Sequence, residues 1–334
     1  MRVKFRLTVL LLTLCFLNTK SEAQVDPHFS QYYVYPSWLN PALTGAFDGD
    51  YRISGIYRTQ WGNVSSPYKT YGLSADFTTA KNINFGASLL QQSAGDGGYE
   101  YTTAYGNVAY TGVKFGNGGF QRLTFGIQGG IVQRRFDPAK MTFGDMWNPV
   151  TGLPTNPTTD YIDHKSDVVF DAGAGVLFFD AAPGKKANFF GGYSASHLTR
   201  PEDDFKAYGE SRLPVRHTVH AGIRLAVSPE FSITPNALFL SQGTATEKMI
   251  GAYGQVKAGA NAEFLVGANY RFEDAISPYV GFGYKNWVLG ASYDVNTSDL
   301  GKMVNGANAF EISLSFVGKR SVKTPEAEFV CPRL

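Results

Sequence analysis

The chain has 334 residues, a formal net charge of +2 at pH 7 and 17% charged residues, against roughly 25% in ordinary soluble domains. A charge so nearly balanced excludes the basic footprint of a nucleic-acid-binding protein, and only two cysteines, Cys15 and Cys331, exclude a disulfide-stapled scaffold. Glycine (37), tyrosine (19) and phenylalanine (25) are abundant without any long apolar run, a balance that suits a sheet with lipid on one face and polar groups on the other.

In chain order, Arg2, Lys4 and Arg6 precede an apolar run over residues 7–17, and Ser21-Glu22-Ala23 follows with small residues a signal peptidase reads. The run is too short to span a bilayer, so residues 1–23 read as a cleaved signal peptide and Gln24 as the first mature residue. Leu12-Thr13-Leu14 argues against lipidation at Cys15, because lipidation needs small residues there. After cleavage Cys331 is alone, and stability must come from burial and backbone pairing. No linker divides the remainder, which reads as one domain.

Residues 24–49 carry no strand pattern. Pro27, Pro36 and Pro41 exclude a continuous helix or a central strand. Phe29, Tyr32, Tyr33, Tyr35 and Trp38 nevertheless offer too much aromatic surface to stay in water. We expect an ordered, extended N-terminal segment packed on or in whatever the strands build.

From residue 50 onward the signal is period-two alternation in pieces of about nine to eleven residues, the length a tilted strand needs to cross a bilayer. Fourteen pieces are predicted: 50–59, 69–78, 83–92, 99–113, 122–136, 167–180, 187–196, 218–227, 231–241, 247–258, 263–271, 276–284, 287–295 and 309–316. The pieces 99–113 and 247–258 alternate poorly. Every second connection is short, whereas the others include 137–166, 197–217 and 296–308. Sorting of loop length by parity is a property of outer-membrane barrels, and a propeller or sandwich gives no reason for it. The predicted fold is therefore all-β: a transmembrane β-barrel of about 14 antiparallel strands over residues 50–316, with a short periplasmic tail at 317–334.

With the apolar positions on lipid, Arg52, Arg58, Asp76, Gln128, Asp171, His220, Arg224, Asn269, Asp294 and Glu311 point into the lumen, which must be hydrated or cross-linked by ion pairs. An arginine at Leu289 or Leu314 is expected to be costly, and one at Ser292 or Ser313 cheap. The longest connection, 137–166, carries Met141, Phe143, Met146 and Trp147, apolar groups that a purely solvated loop does not need. They mark it as a partner-contact loop or a lid.

Motifs for catalysis are weak. His217 and His220 lie near the loop acids Glu202, Asp203 and Asp204, but without a fixed spacing, and no G-x-S-x-G elbow is present. Gly95-Asp96-Gly97-Gly98 and Gly116-Asn117-Gly118-Gly119 fall between strands and read as turns rather than phosphate cradles. Trp61, Trp147 and Trp287 read as aromatics of the membrane interface. The residues point to a non-enzyme with no cofactor and no metal.

Several motifs carry a resemblance. Asp26-Pro27-His28-Phe29-Ser30-Gln31-Tyr32-Tyr33, then Leu39-Asn40-Pro41-Ala42 and Gly45, resemble the mature start of the PorP/SprF family, outer-membrane proteins of the type IX secretion system of Bacteroidetes. Phe136-Asp137-Pro138, Thr142-Phe143-Gly144-Asp145, Phe170-Asp171-Ala172-Gly173-Ala174-Gly175-Val176, His197-Leu198-Thr199-Arg200-Pro201, Leu213-Pro214-Val215-Arg216-His217 and the closing Cys331-Pro332-Arg333 continue it in order. The resemblance implies an outer-membrane secretion component that supports secretion or surface anchoring of large secreted proteins such as gliding adhesins. It would have outer-membrane lipid and other type IX components as partners, with loops at the cell surface and turns in the periplasm. An outer-membrane channel for small or apolar solutes is the alternative the same barrel allows.

Overall fold

The computed structural model describes residues 26–62, 66–95, 98–137, 140–159, 166–202, 212–299 and 308–319. Residues 1–25, among them those read as a signal peptide, and His164, Asp203, Asp204 and the tail beyond 319 lie outside them. Fourteen antiparallel strands form one closed barrel: β1 (Tyr51–Gln60), β2 (Tyr68–Phe77), β3 (Ile83–Ala94), β4 (Tyr99–Phe115), β5 (Gln121–Arg135), β6 (Ser166–Asp180), β7 (Ala187–Ser196), β8 (Arg216–Ala226), β9 (Phe231–Gln242), β10 (Ala245–Lys257), β11 (Ala262–Arg271), β12 (Ala275–Tyr284), β13 (Trp287–Asn296) and β14 (Ala309–Gly318). Each pairs with its neighbours in sequence, and β1 closes on β14 with Tyr51 opposite Gly318 and Gln60 opposite Ala309. Closure leaves no unpaired edge, the condition for placing a sheet in hydrocarbon. The bounds differ from the alternation pattern by two residues at most, and β14 extends to Gly318.

An even strand number brings the start of β1 and the end of β14 to one rim. The six turns at that rim are short, the longest being residues 181–186. In the turn 116–120, Gly116, Gly118 and Gly119 all adopt positive φ, which side chains with a Cβ resist. The opposite rim holds the long connections, but also three short ones, 95–98, 243–244 and 272–274. The outer wall is apolar, with exposed Leu73, Ile127, Val266, Val280, Leu289 and Leu314. Exposed aromatics band it at both ends: Phe77, Phe85, Phe282 and Trp287 toward the short-turn rim, Tyr71, Phe170, Tyr270 and Tyr293 toward the long-loop rim. Such paired girdles sit at the headgroup levels of a bilayer. Trp147 belongs to neither, because it lies in the long loop after β5.

The interior is filled by the chain itself. Residues 26–47 are buried almost throughout, and they descend from the long-loop rim, where Asp26 meets His197, to the short-turn rim, where β1 begins. The segment is not extended as its prolines suggested. It coils through three short turns, Tyr32–Val34, Pro36–Leu39 and Pro41–Leu43. Pro36 and Pro41 open the last two, at the position where a missing N–H costs nothing. One apolar cluster joins Tyr32, Tyr33, Leu39, Ala42 and Leu43 to Leu177, Phe179, Phe190, Leu238 and Met249 of the wall. A second joins Phe29, Tyr35 and Trp38 to Ile56, Leu90, Tyr101, Tyr105 and Val132.

Those contacts explain the two poorly alternating strands. Tyr101 and Tyr105 of β4, and Met249 and Tyr253 of β10, face inward against the plug, so both faces of these strands are apolar and the period-two contrast fades.

Candidate functional site

The plug is held by two buried polar clusters. In the first, the Ser30 hydroxyl donates to the Asp294 carboxylate at 2.7 Å and accepts from Arg58 and Arg271, each at 3.2 Å. Arg58 also pairs with Asp294 (2.9 Å) and Glu311 (2.5 Å), and Arg271 with Asp294 (2.9 Å). Glu311 receives the backbone N–H of Ser30 and of Gln31 at 2.7 and 2.8 Å. Asn269 donates to the Ser30 carbonyl at 2.9 Å. Charges so enclosed are tolerable only because every one has partners.

The second cluster, like the first, lies toward the long-loop rim, where Arg271 ends β11 and Arg216 begins β8. His197 contacts Asp26 through Nε2 and Asp171 through Nδ1, both at 2.7 Å, so both ring nitrogens donate and the ring is an imidazolium. Burial alone would depress this imidazole, but Asp26 and Asp171 outweigh it and push it up to about 9. Burial likewise opposes ionisation of Asp26, yet His197 and Arg216 hold its carboxyl well below the usual carboxylate range. Arg216 reaches Asp26 at 3.1 Å, donates to the Trp38 carbonyl at 2.9 Å and lies 4.1 Å over the Trp38 ring. Tyr105 and Thr199 also donate to Asp171.

Farther along the plug, its backbone approaches the wall where the wall has no side chain. A Cβ on Gly126 would stand 2.3 Å from the Ala42 nitrogen, and one on Gly175 would stand 2.0 Å from Asn40 Oδ1. Asn40 accepts the Ala42 N–H and donates to the carbonyls of Val176 and Tyr193. Nearer the short-turn rim, Asp76 accepts from Gly45 N–H at 2.7 Å and pairs with Arg52 at 2.9 Å.

The inward polar positions thus have distinct places. Arg58, Asp294 and Glu311 meet around Ser30, Arg52 and Asp76 pair with each other, Asp171 belongs to the second cluster, and His220 contacts Asn40 at 3.3 Å. Arg224 lines a cavity at the short-turn rim. Gln128 and Asn269 are buried too. Alternation could not show that the partners of these groups come from the plug, although the buried Asp26, Ser30 and Asn40 stand in motifs the sequence displayed.

One expectation needs correction. Ser292 and Ser313 are not open lumen positions, since both hydrogen-bond the Gln31 side chain, at 3.0 and 2.7 Å, and an arginine at either would collide with the plug. His217 and His220 face opposite sides of β8: His217 is exposed and bonds Tyr193, whereas His220 is buried. They form no shared centre. His197, between two carboxylates, is fully buried.

In the loop after β5, Met141, Phe143 and Met146 are partly covered and Trp147 is exposed. The loop folds on itself: Trp147 bridges to Pro154, and Asp145 accepts from Thr158 and Thr159. The turn it makes displays Val150 and Leu153, which attract no notice in a sequence scan because each is an isolated apolar residue in a polar stretch.

Comparison with solved structures places the barrel among outer-membrane barrels. The chain is similar to CymD, a monoaromatic hydrocarbon channel, with 12% identity and a TM-score of 0.50 over 89% of this chain and 96% of that one. It is also similar to the toluene transporter TbuX of Ralstonia pickettii, with 11% identity and a TM-score of 0.49 over 83% and 90%. At such identity the likeness speaks for the fold alone. No curated protein matches the chain. The family described as type IX secretion system membrane protein PorP/SprF matches residues 21–316, which take in the plug and nearly the whole barrel, and the chain belongs to that family.

Proposed function

We propose that this protein is a plugged, non-enzymatic outer-membrane component that supports secretion or surface anchoring of large secreted proteins, gliding adhesins among them, with its long-loop rim toward the cell surface. The observation that carries this reading is the filled interior. Residues 26–47 occupy the lumen and are fixed by buried charge on seven strands, β1, β2, β6, β8, β11, β13 and β14, and by the loop residue His197, so the rims rather than a pore are left as working surfaces. Exposed Trp147, Val150 and Leu153, backed by Met141, Phe143 and Met146, support a protein contact at the long-loop rim.

Two measurements test the proposal. Residues 142–159 are replaced by a Gly/Ser linker, and barrel assembly is scored separately from display of the large secreted surface protein. Normal assembly with lost display is expected, and normal values of both would overturn the role of the loop. Planar-bilayer recordings of the purified protein should show no steady conductance. A steady, solute-selective conductance would instead favour a channel for small or apolar solutes.

A further inference from the structure

At the short-turn rim, between plug and wall, lies a cavity of about 460 Å³. Its floor is aromatic: Tyr33 of the plug stands 5.9 Å from both Tyr253 and Tyr279, with Leu265 and Val288 beside them. The lining is cationic, with Arg52, Arg224, Lys257, Lys285 and Lys319 against the carboxylates of Asp48 and Glu263. Arg52 is neutralised by Asp76 and Lys319 by Asp48, at 2.9 and 3.1 Å. Arg224, Lys257 and Lys285 form no ion pair among the described residues. Three cations without a carboxylate partner, of which Lys285 lies 5.4 Å over the Tyr284 ring, stand above an apolar floor and make a receptor for a short acidic and aromatic segment.

We infer that the occupant is the chain's own tail, seated through the stretch Glu326-Ala327-Glu328-Phe329-Val330. The last described strand ends at Gly318, and Lys319 itself lines the cavity, so the continuing chain leaves from the edge of the site. Arg320 and Lys323 begin the tail and are repelled by the lining, which makes residues 320–325 a spacer. Extended, that spacer covers roughly 20 Å, enough to turn back over the mouth. In the stretch that follows, carboxylates and apolar groups alternate. An extended conformation therefore puts Glu326 and Glu328 on the cationic side and Ala327 and Phe329 on the tyrosine side. A tethered segment of this chemistry is present at an effective concentration in the mM range, ahead of any free competitor. This inference does not depend on the secretion role proposed above.

Cys331 supplies the test, because it is the chain's only cysteine outside the residues read as the signal peptide. A second cysteine is placed in the lining, as Val288→Cys or Ser315→Cys, or on the lipid-facing wall, as Leu289→Cys. Disulfide formation with Cys331 is then followed in the folded, detergent-purified protein by peptide mass. The lining positions should cross-link within one chain roughly ten-fold or more faster than Leu289→Cys. Lys257→Glu with Lys285→Glu should remove that preference, and adding Glu326→Lys with Glu328→Lys should restore it. Equal rates at lining and wall, or rates indifferent to the charge reversals, would overturn the inference. So would linkage mainly between two chains, or a probe on Cys331 that stays mobile while an added acidic peptide occupies the cavity. Heat-modifiable migration of each variant reports separately that the barrel has folded.

Discussion

Replacing Arg58 by alanine leaves the Glu311 carboxylate enclosed beneath Ser30 and Gln31 without its nearest counter-charge, although the two backbone N–H groups remain. Removing one partner of a buried pair costs about 3–5 kcal/mol. We expect Arg58→Ala to lose stability on that scale in denaturant unfolding from micelles, and Arg58→Ala with Glu311→Gln to recover part of it. His197 makes a pH prediction. The imidazolium faces Asp26 and Asp171, with Arg216, Arg134, Tyr101 and Tyr105 around them. Because its value is raised in the folded protein, its contribution is complete below about 6.5, where the unfolded chain also holds the proton. It is lost as pH rises through about 9. Asp26 works in the other direction, contributing above the ordinary carboxylate range and losing that contribution as acid protonates it. The thermal midpoint should therefore fall between pH 7 and pH 10, and His197→Gln should flatten that fall while lowering the midpoint at pH 7. An unchanged alkaline slope in the variant would remove His197 from the account.

For single elements, the fit of plug to wall is set by glycines. Gly126→Ala puts a methyl into the Pro41–Ala42 backbone, which cannot yield as a side-chain tip would. Gly106, with nothing nearer than 3.9 Å, is the matched control on the outer wall. In limited proteolysis of folded protein, Gly126→Ala should expose residues 26–45 to clipping while the barrel stays resistant, and Gly106→Ala should match the parent. The wall itself responds to charge by face. Leu289→Arg and Leu314→Arg should each cost about 2–4 kcal/mol near mid-bilayer. Ser313→Arg should also be destabilising, for a different reason, because it evicts Gln31. A double variant with Gln31→Gly should relieve the Ser313→Arg penalty and leave the Leu314→Arg penalty unchanged, as measured by refolding into lipid.

Taken as a whole molecule, the barrel was legible because a membrane strand must satisfy two solvents at once. Leu289, Ala291 and Tyr293 against Gly290, Ser292 and Asp294 show that requirement directly. Strand count, order and closure follow from it, with loop-length parity setting the two rims apart. The interior was less legible. Side chains of the two clusters come from positions up to 281 residues apart, as between Ser30 and Glu311, and no local period reports such a meeting. Asp26, Asn40, Gly175, His197 and Arg216 each stand in a motif of the family resemblance, yet only the folded chain brings them together. Helical turns at Pro36 and Pro41 were missed for a simpler reason: a proline that forbids a long helix also starts a short one well.

That distance along the chain has a consequence for the order of assembly. The plug is made first, but its partners Asp294 and Glu311 lie on β13 and β14, the last strands to emerge. Until they arrive, the N–H groups of Ser30 and Gln31 lack their carboxylate and the seam between β1 and β14 is open. Tying the first residues to the last strands couples seating of the plug to closure of the seam between β1 and β14.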